Sequence, residues 1–162
     1  MTWEGKRFPH QRRLKEKDLD RAEQKLVSRI TDIEKASSFA ALFDLIERAV
    51  GSLGGLGELY VYDTALRIGA QKRTLPQRAY LHAGARQGAK ALGLEVAGVV
   101  GFFKSELPEA LRELEAHEIE DVLCIYKLYF TGEQRDLDDE ATCWVDEEIE
   151  DEMSPRTIKR NC

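Results

Sequence analysis

The stretch that decides the reading of this chain is Leu53–Arg86, LGGLGELYVYDTALRIGAQKRTLPQRAYLHAGAR. A cluster of glycines, Gly54, Gly55 and Gly57, separates two segments whose apolar residues recur every three or four positions. That recurrence is the signature of amphipathic helices, and the glycines permit a tight turn between them. After Asp63 no acidic residue occurs until Glu95, while Arg67, Lys72, Arg73, Arg78, Arg86 and Lys90 fall in the same interval. An acidic protein that keeps one interval free of carboxylates is expected to reserve it for an anion.

Working outward, helical periodicity dominates. Leu19, Ala22, Leu26, Ile30 and Ile33 form one stripe over about 14–36. Ser37 and Ser38 are candidate caps for a helix carrying Phe39, Leu42, Phe43, Ile46 and Val50 on one side. A third helix is expected over about 58–70. It ends before Leu75-Pro76, because proline disfavours helix in the residue before it. A fourth is expected over about 77–92. Its small-sided run Ala83, Gly84, Ala85, Gly88, Ala89 lets another helix or a ligand chain approach closely. Residues 95–104 (EVAGVVGFFK) fit either a buried helical turn or a strand, and periodicity does not decide. Ser105 and Pro108 suggest a helix start, and a last strong helix is expected over about 118–130. The expectation is an all-α compact bundle of five to six helices over 14–132. It is flanked by a basic arm, 1–13, and an acidic tail, 133–162, ordered in part where Trp144 can dock.

Composition narrows the classes. The chain has 162 residues, 43% hydrophobic and 33% charged, with a net charge of −6. One domain with a real core fits that length. No run approaches the eighteen apolar residues of a membrane span, and the N-terminus lacks the apolar centre of a secretion signal, so a cytoplasmic location is the expectation. Cys124, Cys143 and Cys162 match no common zinc spacing and are expected to be free thiols. Charge is segregated: residues 64–94 carry six basic groups and no acid, and 136–152 hold ten carboxylates and no basic group. The two could pair, and the tail would then compete with a polyanion. Alternatively the tail itself docks a basic partner.

The corner Leu53-Gly54-Gly55-Leu56-Gly57 resembles the hairpin of helix-hairpin-helix proteins, whose pattern is roughly hydrophobic-x-Gly-hydrophobic-Gly. The free amides and positive dipole end of the following helix would hold a phosphate oxygen. Such a contact positions a nucleic acid without reading its bases. Over about residues 38–92 the order of hairpin, helix, proline loop and second helix is similar to that of endonuclease III-like DNA glycosylases. Their catalytic groups are not matched. Leu59 stands where some members carry a lysine nucleophile, Leu81 or a neighbour stands where an aspartate would fall, and the iron–sulfur cysteines are missing. Glu58, directly after Gly57, departs from the pattern and opposes a phosphate. The resemblance implies a non-catalytic DNA-binding scaffold, with no cofactor.

The nucleic-acid-binding residues are therefore expected to be Gly55, Gly57, Arg67, Lys72, Arg73, Arg78, His82, Arg86 and Lys90. His82 can contact phosphate, act as an acid/base, or simply pack or cap. Asp63 and Arg67 are spaced for an i,i+4 ion pair. His117, Glu118, Asp121 and Cys124 share a helical face, which reads better as a solvated face with a buried thiol than as a metal site. Ser28, Thr31 and Ser52 have no partner pattern for nucleophilic catalysis. The alternative to nucleic-acid binding is a protein-interaction subunit that docks a partner, or a second copy, through residues 136–152. A third reading is a small nuclease or lyase using His82 with Asp63 or Lys72.

Overall fold

The computed structural model describes residues 14–132; the basic arm and the acidic tail lie outside them. The chain is mostly helical, with seven α-helices and one two-stranded sheet among the described residues. In order these are α1 (Glu16–Val27), α2 (Ile30–Lys35), α3 (Phe39–Val50), α4 (Glu58–Gln71), β1 (Arg78–Tyr80), α5 (Ala83–Ala91), β2 (Gly101–Phe103), two 3-10 turns (Lys104–Glu106 and Glu109–Leu111), α6 (Ala116–Ile125) and α7 (Lys127–Phe130). None of these helices is long and apolar enough to cross a membrane.

The expected helix over 14–36 is broken in two. Ser28 ends α1, with its hydroxyl donating to the Lys25 carbonyl at 2.7 Å, and the chain restarts at Ile30. The α3 helix matches expectation: Ser38 caps it, accepting from the Ala41 amide at 3.2 Å, and Phe39, Leu42, Phe43, Ile46 and Val50 are buried. The α4 helix also falls where it was expected.

The helix expected over 77–92 is the main correction. Residues Arg78–Tyr80 form a strand, and only Ala83–Ala91 is helical. The strand pairs antiparallel with β2, Ala79 opposite Phe102 and Tyr80 opposite Gly101. Gly101 makes this approach possible, since a Cβ there would sit 2.5 Å from the Ala79 carbonyl oxygen. The undecided segment 95–104 thus becomes a loop followed by that partner strand. Near Ser105 and Pro108 there are only 3-10 turns, and the expected last helix divides between α6 and α7 with Tyr126 at the junction.

Two apolar clusters meet at β1. The first joins α1 to α4 through Ala22, Ile33, Leu42, Ile46, Val50 and Val61, and includes Tyr80. The second joins α5, β2 and α6 through Ala85, Ala89, Phe102, Leu107, Ile119 and Leu123, and includes Ala79 and Leu81. Side chains alternate across a strand, so neighbouring residues of β1 and its extension serve different cores. The small-sided run does admit a helix. A Cβ on Gly88 would run into the Leu123 carbonyl, so α5 and α6 touch backbone to backbone there.

Candidate functional site

A cavity of about 960 Å³ opens between the glycine corner, β1 and the loop 95–100. Its size is that of a small-molecule site. Phe43, Tyr62 and Tyr80 give it aromatic walls, with Phe43 and Tyr80 ring centres 4.4 Å apart and Tyr62 and Tyr80 5.9 Å apart. His82 also lines it, 6.3 Å from the Tyr62 ring. Gly57, Glu58, Arg86, Lys90 and Glu95 stand around it.

The corner itself is open. A Cβ at Gly54 or Gly57 would meet nothing within 4 Å, and Gly55 adopts the left-handed φ of 89° that glycine tolerates. The α4 helix starts at Glu58 with Gly57 as its cap, and no side chain closes that end. Among the described residues, nothing accepts from the amides of Gly57, Glu58 or Leu59. Two carboxylates oppose an anion here. Glu58 follows the corner, and Asp18 of α1 lies against Gly55, its Oδ2 2.8 Å from the place of a Cβ.

The expected cations do not share one site. Arg86 and Lys90 come to the cavity, but Arg86 is already committed. Its guanidinium donates to the carbonyls of Val96, Val99 and Leu81, each at 2.9 Å, and lies 3.7 Å from Glu58. It clamps the loop 95–100 to the end of β1. Lys72 and Arg73 sit at the opposite end of α4 from Gly57, about 20 Å away along a fourteen-residue helix. There Lys72 donates to the Glu34 carbonyl at 2.6 Å, and Arg73 takes a left-handed φ of 55° as the helix ends. Arg67 pairs with Asp63 at 2.9 Å, the i,i+4 pair that the spacing suggests. Arg78 lies over the Phe103 ring, 4.6 Å from its centre. Lys90 is exposed beside the cavity.

His82 is buried, 3% exposed, and caps α5: its Nδ1 accepts from the Gly84 amide at 3.2 Å. Its Nε2 pairs with Oε1 of Glu120, which is equally buried on α6. Cys124 lies one turn along α6 from Glu120 and close to the same ring. A ring nitrogen, a Glu120 oxygen and the Cys124 sulfur all fall within 4.8 Å of one another. Burial by itself would lower the His82 pKa; Cys124 and Glu120 overcome it and push the imidazole up to about 9. The ring has two arrangements. Neutral, it caps α5 through Nδ1 and donates from Nε2 to Glu120. Protonated, it carries a proton on Nδ1 and loses the Gly84 contact. The carboxylate that raises the pKa and the amide that caps the helix therefore pull in opposite directions.

Tyr62 completes the floor. Its hydroxyl is buried and has no hydrogen-bond partner among the described residues. Burial, then the nearby charges of Glu120 and Asp121, raise its pKa strongly. Burial and Glu120 likewise raise the Asp121 carboxyl. Glu120 and Tyr62 carry no sequence signal that marks them. Glu120 is one of several acids in its helix, and its partner is 38 residues away. The only hint is the four-residue spacing from Glu120 to Cys124. Comparison with protein-family models, curated proteins and solved structures finds no match for the chain.

Proposed function

We propose that the protein binds nucleic acid without cleaving it, holding a backbone phosphate at the Gly54–Gly57 corner and a base or nucleoside in the adjoining cavity. The observation that carries the reading is the open α4 N-terminus, with unaccepted amides, on the edge of an aromatic-walled cavity that Lys90 also borders. Helix N-termini hold phosphate oxygens, and aromatic rings stack on bases without sequence preference. The helix-hairpin-helix resemblance supports the same placement. Leu59 and Leu81 stand where the lysine and aspartate of the resembled glycosylases would fall, which supports binding rather than glycosylase chemistry, since that chemistry needs a placed carboxylate to stabilise a cationic sugar.

The contact is narrower than six cations would make it. With Lys90 and the corner as the main phosphate contacts, about two phosphates are neutralised, and log K falls with log salt with a slope of about −2. The test is fluorescence anisotropy of labelled duplex and single-stranded DNA between 50 and 200 mM salt, with Lys90→Glu as the control. Binding that Lys90→Glu weakens, with that shallow slope, supports the reading; no binding at 50 mM salt removes it.

A second reading has its own observation. Ile125, Tyr126 and Tyr129 are 51%, 36% and 58% exposed around the α6–α7 junction. They form an apolar face that a protein partner or a second copy could cover. A stable complex with a protein, together with no affinity for DNA, would favour it.

A further inference from the structure

We propose that His82, Glu120 and Cys124 form a binding site for one divalent transition-metal ion of the zinc type. Three different donors, an imidazole nitrogen, a carboxylate oxygen and a thiol sulfur, converge from two elements that share no local sequence. Zinc bonds of about 2.0–2.3 Å place neighbouring tetrahedral ligand atoms about 3.3–3.8 Å apart, so the hydrogen-bonded imidazole and carboxylate part to admit the ion while the Cys124 sulfur closes in. The donor set is the mixed nitrogen, oxygen and sulfur kind that selects a borderline ion over magnesium or calcium. Glu120 and Cys124 are four residues apart on α6, which puts both on one face, and His82 is held opposite by its place at the start of α5.

Charge supports the assignment. Glu120 is buried and pairs with His82. Among the described residues no lysine or arginine forms an ion pair with it. A divalent ion with one carboxylate and one thiolate makes a neutral centre, the form that burial favours. Binding exchanges protons for metal: the Cys124 thiol loses its proton, and the ion takes the place of the hydrogen between imidazole and carboxylate. His82 then gives up its long contact from Gly84, a weak cap. Tyr62 has a buried hydroxyl without a partner near Glu120, a donor of the kind that orients ligating carboxylates. Three protein ligands leave a fourth position for water, and His82 and Tyr62 both line the cavity.

The test uses the full chain, stripped by a chelator and titrated with Co²⁺, read by the thiolate-to-cobalt charge-transfer absorbance. A Cys143→Ser/Cys162→Ser background removes the other thiols. In that background we expect one Co²⁺ per chain, displaced by Zn²⁺. Adding Cys124→Ser should abolish the charge-transfer band, and Glu120→Gln should keep the band but weaken binding about tenfold or more. Absence of cobalt binding in the background chain, or a band that survives Cys124→Ser, overturns the proposal. Should Cys124→Ser fail to fold by circular dichroism, alkylation of Cys124 in the background chain decides. Zn²⁺ must slow it about tenfold or more, and an unchanged rate overturns the assignment.

Discussion

At the scale of single residues, Tyr62 is the most informative side chain. A buried hydroxyl without a partner costs about 1–3 kcal/mol relative to a satisfied one. Tyr62→Phe is therefore expected to stabilise the free protein by about 1 kcal/mol, measured as a higher urea midpoint with an unchanged m-value. A ligand that uses the hydroxyl should bind this variant more weakly, the usual trade between stability and function. The raised Tyr62 pKa also gives a pH dependence. The folded state holds the phenolic proton more tightly than the unfolded chain, so the contribution is intact below the unfolded value near 10. It is lost as pH rises beyond it toward the higher folded value. Tyr62→Phe should flatten that alkaline loss, measured by urea unfolding between pH 9 and 11. His82 stood out in the sequence, and capping was one of its readings there; Glu120 did not, because nothing local links it to a residue on another element. Pairings over such separations are tertiary facts that periodicity does not encode.

At the scale of elements, helices with strong stripes and a plain cap were readable from the chain alone. The α3 and α4 helices are the clear cases, with Ser38 and Gly57 at their starts. The region after Pro76 was not. Arg78, Ala79 and Tyr80 sit in a run that continues smoothly into α5, so the apolar spacing concealed the switch from strand to helix at His82. What fixes the strand is its partner, Gly101–Phe103, twenty-odd residues on, whose glycine allows close approach. The small-sided face of α5 was recognisable, and its purpose is the contact with α6. Gly88→Ala should cost about 3 kcal/mol, because the obstructing atom is a backbone carbonyl that cannot swing away; thermal unfolding checks it. Gly57→Ala is the contrast, with open space around it and an ordinary φ of −95°. It should change stability by less than about 1 kcal/mol, so any loss of DNA affinity would report on the corner itself. Arg86→Ala should free the 95–100 loop, seen as faster amide exchange at Val96–Val100 with the helices still protected.

At the scale of the whole molecule, charge segregation was evident in the sequence, but its geometry was not. The interval free of carboxylates holds six cations, yet α4 carries Lys72 and Arg73 to the end away from the corner, Arg67 pairs within its own helix, and neighbouring elements use Arg78 and Arg86. A count of charges along a chain cannot anticipate how a helix fourteen residues long separates them. The two apolar clusters meet at one short strand, and Tyr80 is the residue of that strand committed to the first cluster. Tyr80→Ala should cost about 3–5 kcal/mol in a single cooperative denaturant transition, not two separated ones.

Tyr80 also walls the cavity. A guest seated there leans on the ring that anchors α1–α4 while its neighbours Ala79 and Leu81 hold α5 and α6. Occupancy should therefore be felt remotely: deuterium uptake ought to slow in α2 and in α6 together, although neither helix borders the cavity.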